Sequence, residues 1–108
     1  MHSDHQVFVD ALVAKKRLSV HFRDKEGRMV TRVCAPLDFG PLRGATEQDD
    51  RYQLWNLEGR RKPLNIALRE VDVESFTALD ESFDPASIIT LAFKPNAWKL
   101  PRDWAEFS

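Results

Sequence analysis

Three arginines, Arg32, Arg51 and Arg69, fall in three separate β-like stretches of this 108-residue chain, and Tyr52 and Trp55 share the stretch that Arg51 opens. A guanidinium is always charged, grips phosphate with two parallel N–H bonds and stacks on flat rings. Exposed aromatic rings hold nucleic-acid bases by stacking. If the three stretches lie in one sheet, these five side chains can converge into a surface for anions and bases. Side chains alternate along a strand, so Tyr52 and Trp55 point to opposite faces and at most one of them is available there, the other belonging to the core.

The other reactive side chains point to less. The only histidines are His2, His5 and His21, two of them at the chain start and the third on the polar side of a strand pattern. The single cysteine, Cys34, excludes an internal disulfide and a cysteine-based zinc site, and it reads as a small buried thiol. Glu70, Asp72, Glu74, Asp80, Glu81 and Asp84 lack the spacing of a calcium loop, and the four glycines are too isolated to cradle a phosphate. No metal, no cofactor and no enzymatic activity are expected.

Charge is unevenly placed. The net charge is −1, yet residues 1–69 carry 13 basic and 9 acidic side chains, whereas residues 70–108 carry 3 and 8. Such polarity steers an anion toward one side of a molecule. A near-neutral total excludes a protein that coats nucleic acid by bulk charge. The 43% apolar content suffices for one modest core and excludes a disordered chain. The longest apolar runs are too short to span a membrane, and the first residues lack the pattern of a signal peptide. A soluble cytoplasmic domain is the expectation.

The elements that must position these residues follow from periodicity. Phe8, Ala11, Leu12 and Lys15 sit at helical spacing, and Ser3 with Gln6 forms a capping-box pattern, giving a helix over about 4–16 that ends in basic residues. Leu18, Val20 and Phe22 then alternate with polar residues as a first strand, turned at Gly27. Met29 to Ala35 is a return strand stopped by Pro36, and residues 37–50 read as a surface loop. Arg51–Leu57, Leu64–Arg69 and Val71–Leu79 give three more strands, with a bend, bulge or short turn near Glu70 or Ser75. Asp84-Pro85 suits an N-cap followed by proline at the first helical position. Trp98 and Trp104 in the tail are expected to lie largely buried over the domain, each contributing on the order of 2–4 kcal/mol.

One helix before five short antiparallel strands implies a mainly β (α+β) fold: a small five-stranded Sm/SH3-like barrel with the helix as its cover, an OB-like barrel being the alternative. The expected organisation is a single domain of residues 1–108, with helix about 4–16, barrel about 17–80 and a C-terminal wrap over 84–108.

In order, the features are a basic first strand (Lys15-Lys16-Arg17-Leu18-Ser19-Val20-His21-Phe22), Arg32-Val33-Cys34-Ala35-Pro36, Tyr52-Gln53-Leu54-Trp55, Arg69-Glu70-Val71 and Phe83-Asp84-Pro85. This series over about two thirds of the chain resembles the WYL domain, an Sm/SH3-like ligand-binding module of bacterial regulators. Tyr52-Gln53-Leu54-Trp55 stands where that family has its Trp-Tyr-Leu triplet, and the helix-turn-helix that commonly precedes the domain is absent, so the chain looks like a divergent stand-alone member. The resemblance implies a non-enzymatic regulatory module that recognises nucleic acid or a nucleotide, with Arg32, Arg51, Tyr52, Trp55 and Arg69 as ligand-binding residues. The alternative is a protein-interaction module, a homodimer or the partner of a bacterial regulatory protein, with no nucleic-acid role and no membrane.

Overall fold

A computed structural model describes residues 2–41, 49–59, 64–88 and 98–104. Arg43, the Arg60-Arg61-Lys62 cluster and parts of the expected C-terminal wrap, residues 89–97 and 105–108, lie outside the described residues.

The order is helix α1 (His5–Ala14), strands β1 (Lys16–Arg23), β2 (Met29–Gly40), β3 (Arg51–Asn56) and β4 (Asn65–Leu68), a 3-10 turn (Glu70–Asp72), strand β5 (Val73–Ser82) and a single turn of helix α2 (Pro85–Ile88). The five strands form one antiparallel sheet in the order β4-β3-β2-β1-β5. The fold is therefore mainly β with a leading helix, and the sheet stays open, with β4 and β5 at its two ends.

Helix α1 buries Phe8, Ala11 and Leu12, as their spacing requires, against β1, β2 and β5. Its ends differ from the sequence expectation. The N-cap is Asp4, and no side chain caps the helix. Gln6 bonds Asp10 instead of reaching back to Ser3, and the Asp4 carboxylate accepts the Phe76 N–H of β5 at 3.1 Å. A tertiary bond thus takes the acceptor a cap would use. The helix stops at Ala14 because Lys15 turns left-handed (φ 57°), and the backbone enters β1 at Lys16.

β2 is longer than the sequence suggests. It does not stop at Pro36 but runs to Gly40, so residues 37–40 belong to a strand rather than a loop. Proline fits there because the pairing with β3 slips between Pro36 and Asp38, leaving Leu37 without an opposite partner. A bulge is one of the few places where a strand tolerates a missing N–H. β2 also changes neighbours near this point, pairing with β1 up to Cys34 and with β3 from Cys34 onward. Phe22 and Arg23 of β1 and Asn65–Leu68 of β4, which have β2 and β3 between them in the sheet, line one cleft, so the sheet curls.

The concave side holds one core: Leu18, Val20, Phe22, Cys34, Tyr52, Leu54, Leu68, Val73 and Phe76 beneath the helix residues. The chain bends before β5 at the 3-10 turn, and a second irregularity lies where His21 pairs Ser75 but Phe22 pairs Val73. Val71, in phase with Val73 on a strand reading, sits in that turn and is 77% exposed. At α2 the Asp84 carboxylate accepts the Ala86 N–H at 3.0 Å, the bond expected of a cap before proline. Among the described residues no helix is long and apolar enough to cross a membrane.

Candidate functional site

A cleft of about 1000 Å³ opens where β1 and β4 face one another without pairing. Its apolar wall is Phe22 from β1 and Ile66, Ala67 and Leu68 from β4. Its polar lining includes Arg23, Lys25, Arg51 and Arg69, with Asp24, Asn65 and Asp72 among them.

Local structure places each of these groups. Arg51 opens β3 and Arg69 directly follows β4, and Tyr52–Leu68 is the adjacent cross-strand pair, so both arginines stand at the same end of the sheet. Arg69 Nε lies 3.0 Å from Asp72 Oδ2, and Arg51 Nε lies 3.5 Å from Asp49 Oδ2. Each guanidinium is thereby held by a nearby carboxylate while remaining partly exposed. The facing wall is the β1–β2 hairpin. There Asp24 Oδ1 accepts the N–H groups of Glu26 and Arg28, and Gly27 supplies the positive φ of 83° that closes the turn. The Arg28 N–H bond, before any other influence, holds the Asp24 carboxyl below its usual range, so it stays ionised among the cations.

Of the five residues singled out in the sequence, the structure brings Arg51 and Arg69 together on this cleft. Arg32 does not join them. It faces Val20 across the middle of the β1–β2 ladder, is exposed, and donates from Nη1 to the Thr31 carbonyl at 2.8 Å. Tyr52 is fully buried and offers no ring face to a ligand. It packs on Phe8, Phe39 and Phe76, and its hydroxyl lies 2.8 Å from His5 Nδ1. Burial raises the phenol's pKa and lowers that of His5. Trp55, on the other strand face, is half-buried against the core and is not among the cleft residues.

The residues that sequence reasoning missed are Arg23 and Lys25, obscured because one ends a strand and the other sits in a turn, and a second cationic centre beneath the tail. In that centre Arg102 lies between two indoles, its guanidinium carbon 4.3 Å from the Trp98 ring centre and 4.4 Å from that of Trp104. Arg102 Nη2 meets Asp38 Oδ1 at 3.3 Å, with both side chains almost wholly buried. Asp38 also accepts the backbone N–H groups of Lys99 and Leu100 at 3.0 Å. Burial pulls the Arg102 pKa down to about 10 against the opposing pull of Asp38, so the group remains charged at neutral pH. Trp104 is itself buried and donates its indole N–H to the Leu12 carbonyl at 3.0 Å, while Trp98 is half-buried. The sequence signal was an arginine between two tryptophans and an acid inside the apolar run Pro36-Leu37-Asp38-Phe39.

Burial pushes the Cys34 thiol up to about 12, far from the range of a reactive thiolate. Among the described residues no three His, Cys, Asp or Glu side chains gather so as to hold a metal ion. No family model matches the chain, and neither a curated protein nor a solved structure matches it.

Proposed function

We propose that this chain is a non-enzymatic ligand-binding module that recognises nucleic acid or a nucleotide through the cleft between β1 and β4. The observation that carries the reading is the meeting of Arg51, which opens β3, and Arg69, which follows β4, with Arg23 and Lys25 from the opposite wall, around an apolar surface. Guanidinium groups on the rim of a concave apolar site suit a phosphate attached to a less polar body. Two supports are independent of the cleft. The strand meander with β5 returning beside β1 fits an Sm/SH3-like arrangement, and the ordered motifs from Lys15 to Pro85 resemble those of the WYL regulators.

The ligand site in this reading is Arg51 and Arg69 from the original set, joined by Arg23 and Lys25. Arg32 and Trp55 are peripheral to it and Tyr52 supports it from the core. The test is binding of fluorescent oligonucleotides and nucleotides at several salt concentrations, with Arg51→Ala/Arg69→Ala as the comparison. Binding that weakens with salt and falls about tenfold or more in the double variant is expected. Equal binding by wild type and double variant, at equal thermal stability, would remove the cleft from the function.

A second reading, a protein-interaction module, is favoured by one feature: β5 is an end strand of the sheet, and end strands are templates for pairing with another chain. Its test is the mass of the protein in solution across a concentration series, which rises if a second copy is the partner.

A further inference from the structure

We infer that the cleft receives one compact phosphorylated molecule carrying an apolar ring system, of the size of a nucleoside monophosphate, and does not track the backbone of a nucleic-acid strand. This rests on the anion-binding reading above and narrows it. Three observations converge.

The first is charge. Among the described residues four cationic and two acidic side chains line the cleft, leaving two net positive charges, the complement of one phosphate monoester near neutral pH. The second is what lies next to it. Beyond Arg69 the chain presents Glu70 and Glu74, both exposed. A strand leaving the cleft on that side would carry its phosphates into like charge, whereas proteins that hold single strands provide a continuous basic groove. The third is that the described lining offers no row of stacking rings. Tyr52 is enclosed, Trp55 is outside the cleft, and Phe22, the one aromatic residue among the described lining residues, is only 6% exposed. Ile66 and Ala67, half-buried in the lining with Phe22 and Leu68 behind them, thus offer a single apolar wall for one ring system, not a series of platforms for successive bases. A volume near 1000 Å³ matches the upper end of small-molecule sites, about 300–1,000 Å³.

In this arrangement the phosphate sits between Arg51 and Arg69, with Arg23 and Lys25 across from it, and the ring lies on the apolar wall. The experiment is a calorimetric titration of the full chain with adenosine monophosphate, adenosine, inorganic phosphate and a single-stranded oligonucleotide lacking terminal phosphates, followed by competition between the monophosphate and the oligonucleotide. The monophosphate is expected to bind at least about tenfold more tightly than either adenosine or inorganic phosphate. The oligonucleotide is expected to bind more weakly than the monophosphate, and Ile66→Asp to lose the preference for the nucleotide over inorganic phosphate. If inorganic phosphate binds as tightly as the nucleotide, the role given to the apolar wall is wrong. If the oligonucleotide binds more tightly, with a steep salt dependence that Arg51→Ala/Arg69→Ala abolishes, this inference falls while the anion-binding reading stands. If none of the four binds, both fall.

Discussion

Arg102 and the arginines of the cleft are the same residue type put to opposite uses. The Arg102 side chain is 1% exposed, stacked between Trp98 and Trp104 and paired with a buried carboxylate. Arg69 is 56% exposed and touches its carboxylate, Asp72, from one edge only, at Nε. A charge taken out of water must be compensated where it stands, so the buried pair is committed to holding the tail on the sheet. A charge left at the rim of a cleft keeps its water and can exchange it for a ligand. Arginine count therefore says little about function; what separates the two regions is whether each guanidinium has already exchanged water for protein.

The comparison breaks first, and by the largest margin, at Asp38 and Arg102. Arg102→Ala leaves the Asp38 carboxylate buried with only the Lys99 and Leu100 N–H groups, and a loss of about 3–5 kcal/mol is expected in urea unfolding. Asp38→Ala is expected to cost more than Arg102→Ala, because it strands a buried cation and two backbone donors together. Equal or negligible losses would mean that the tail docks by its tryptophans alone. Trp104→Phe sharpens that point. It keeps most of the ring contact with Phe83 but deprives the Leu12 carbonyl of its indole donor, and about 1–2 kcal/mol should go.

At the cleft the expectation reverses. Arg51→Ala and Arg69→Ala should each change stability by no more than about 0.5 kcal/mol, since their ion pairs are solvated. A loss as large as that of Arg102→Ala would show that these arginines hold the strands in place, and the contrast between the two regions would disappear.

How much of this was legible in the chain depends on the range of the forces involved. Alternation in Leu18-Val20-Phe22 and the helical stripe through Phe8 and Leu12 are set by neighbours within a few residues, and they appear where periodicity puts them. Pro36 misled because its cost depends on the partner strand: opposite a register shift the missing N–H does no harm, and only the β3 pairing reveals that shift. The pairing of Asp38 with Arg102 spans 64 residues and has no local signature. Arg51 and Arg69 were found from their strand positions, but Arg32 was grouped with them because sequence fixes parity within a strand and not the curl of a sheet. The curl carries one end of β1 to β4 while leaving the middle of the β1–β2 ladder, with Arg32, elsewhere.

The smallest expected effect lies between the two regions, at the pair of His5 and Tyr52. Burial disfavours the imidazolium of His5, assisted by the charged chain terminus and opposed by Glu70, so its pKa in the folded protein lies below the usual 6.5. The unfolded chain then binds a proton more readily than the folded one as pH drops below about 6.5. Folding stability should therefore fall with acidification from neutrality until the folded-state His5 is itself protonated, and level off below that. His5→Gln keeps a side chain able to bond the Tyr52 hydroxyl but cannot titrate. Chemical unfolding measured at intervals between about pH 7 and pH 5 should show a flatter stability profile for His5→Gln than for wild type. Parallel profiles would mean that His5 exchanges its proton as freely in the fold as in water, and that the hydroxyl it meets does not depend on the neutral ring.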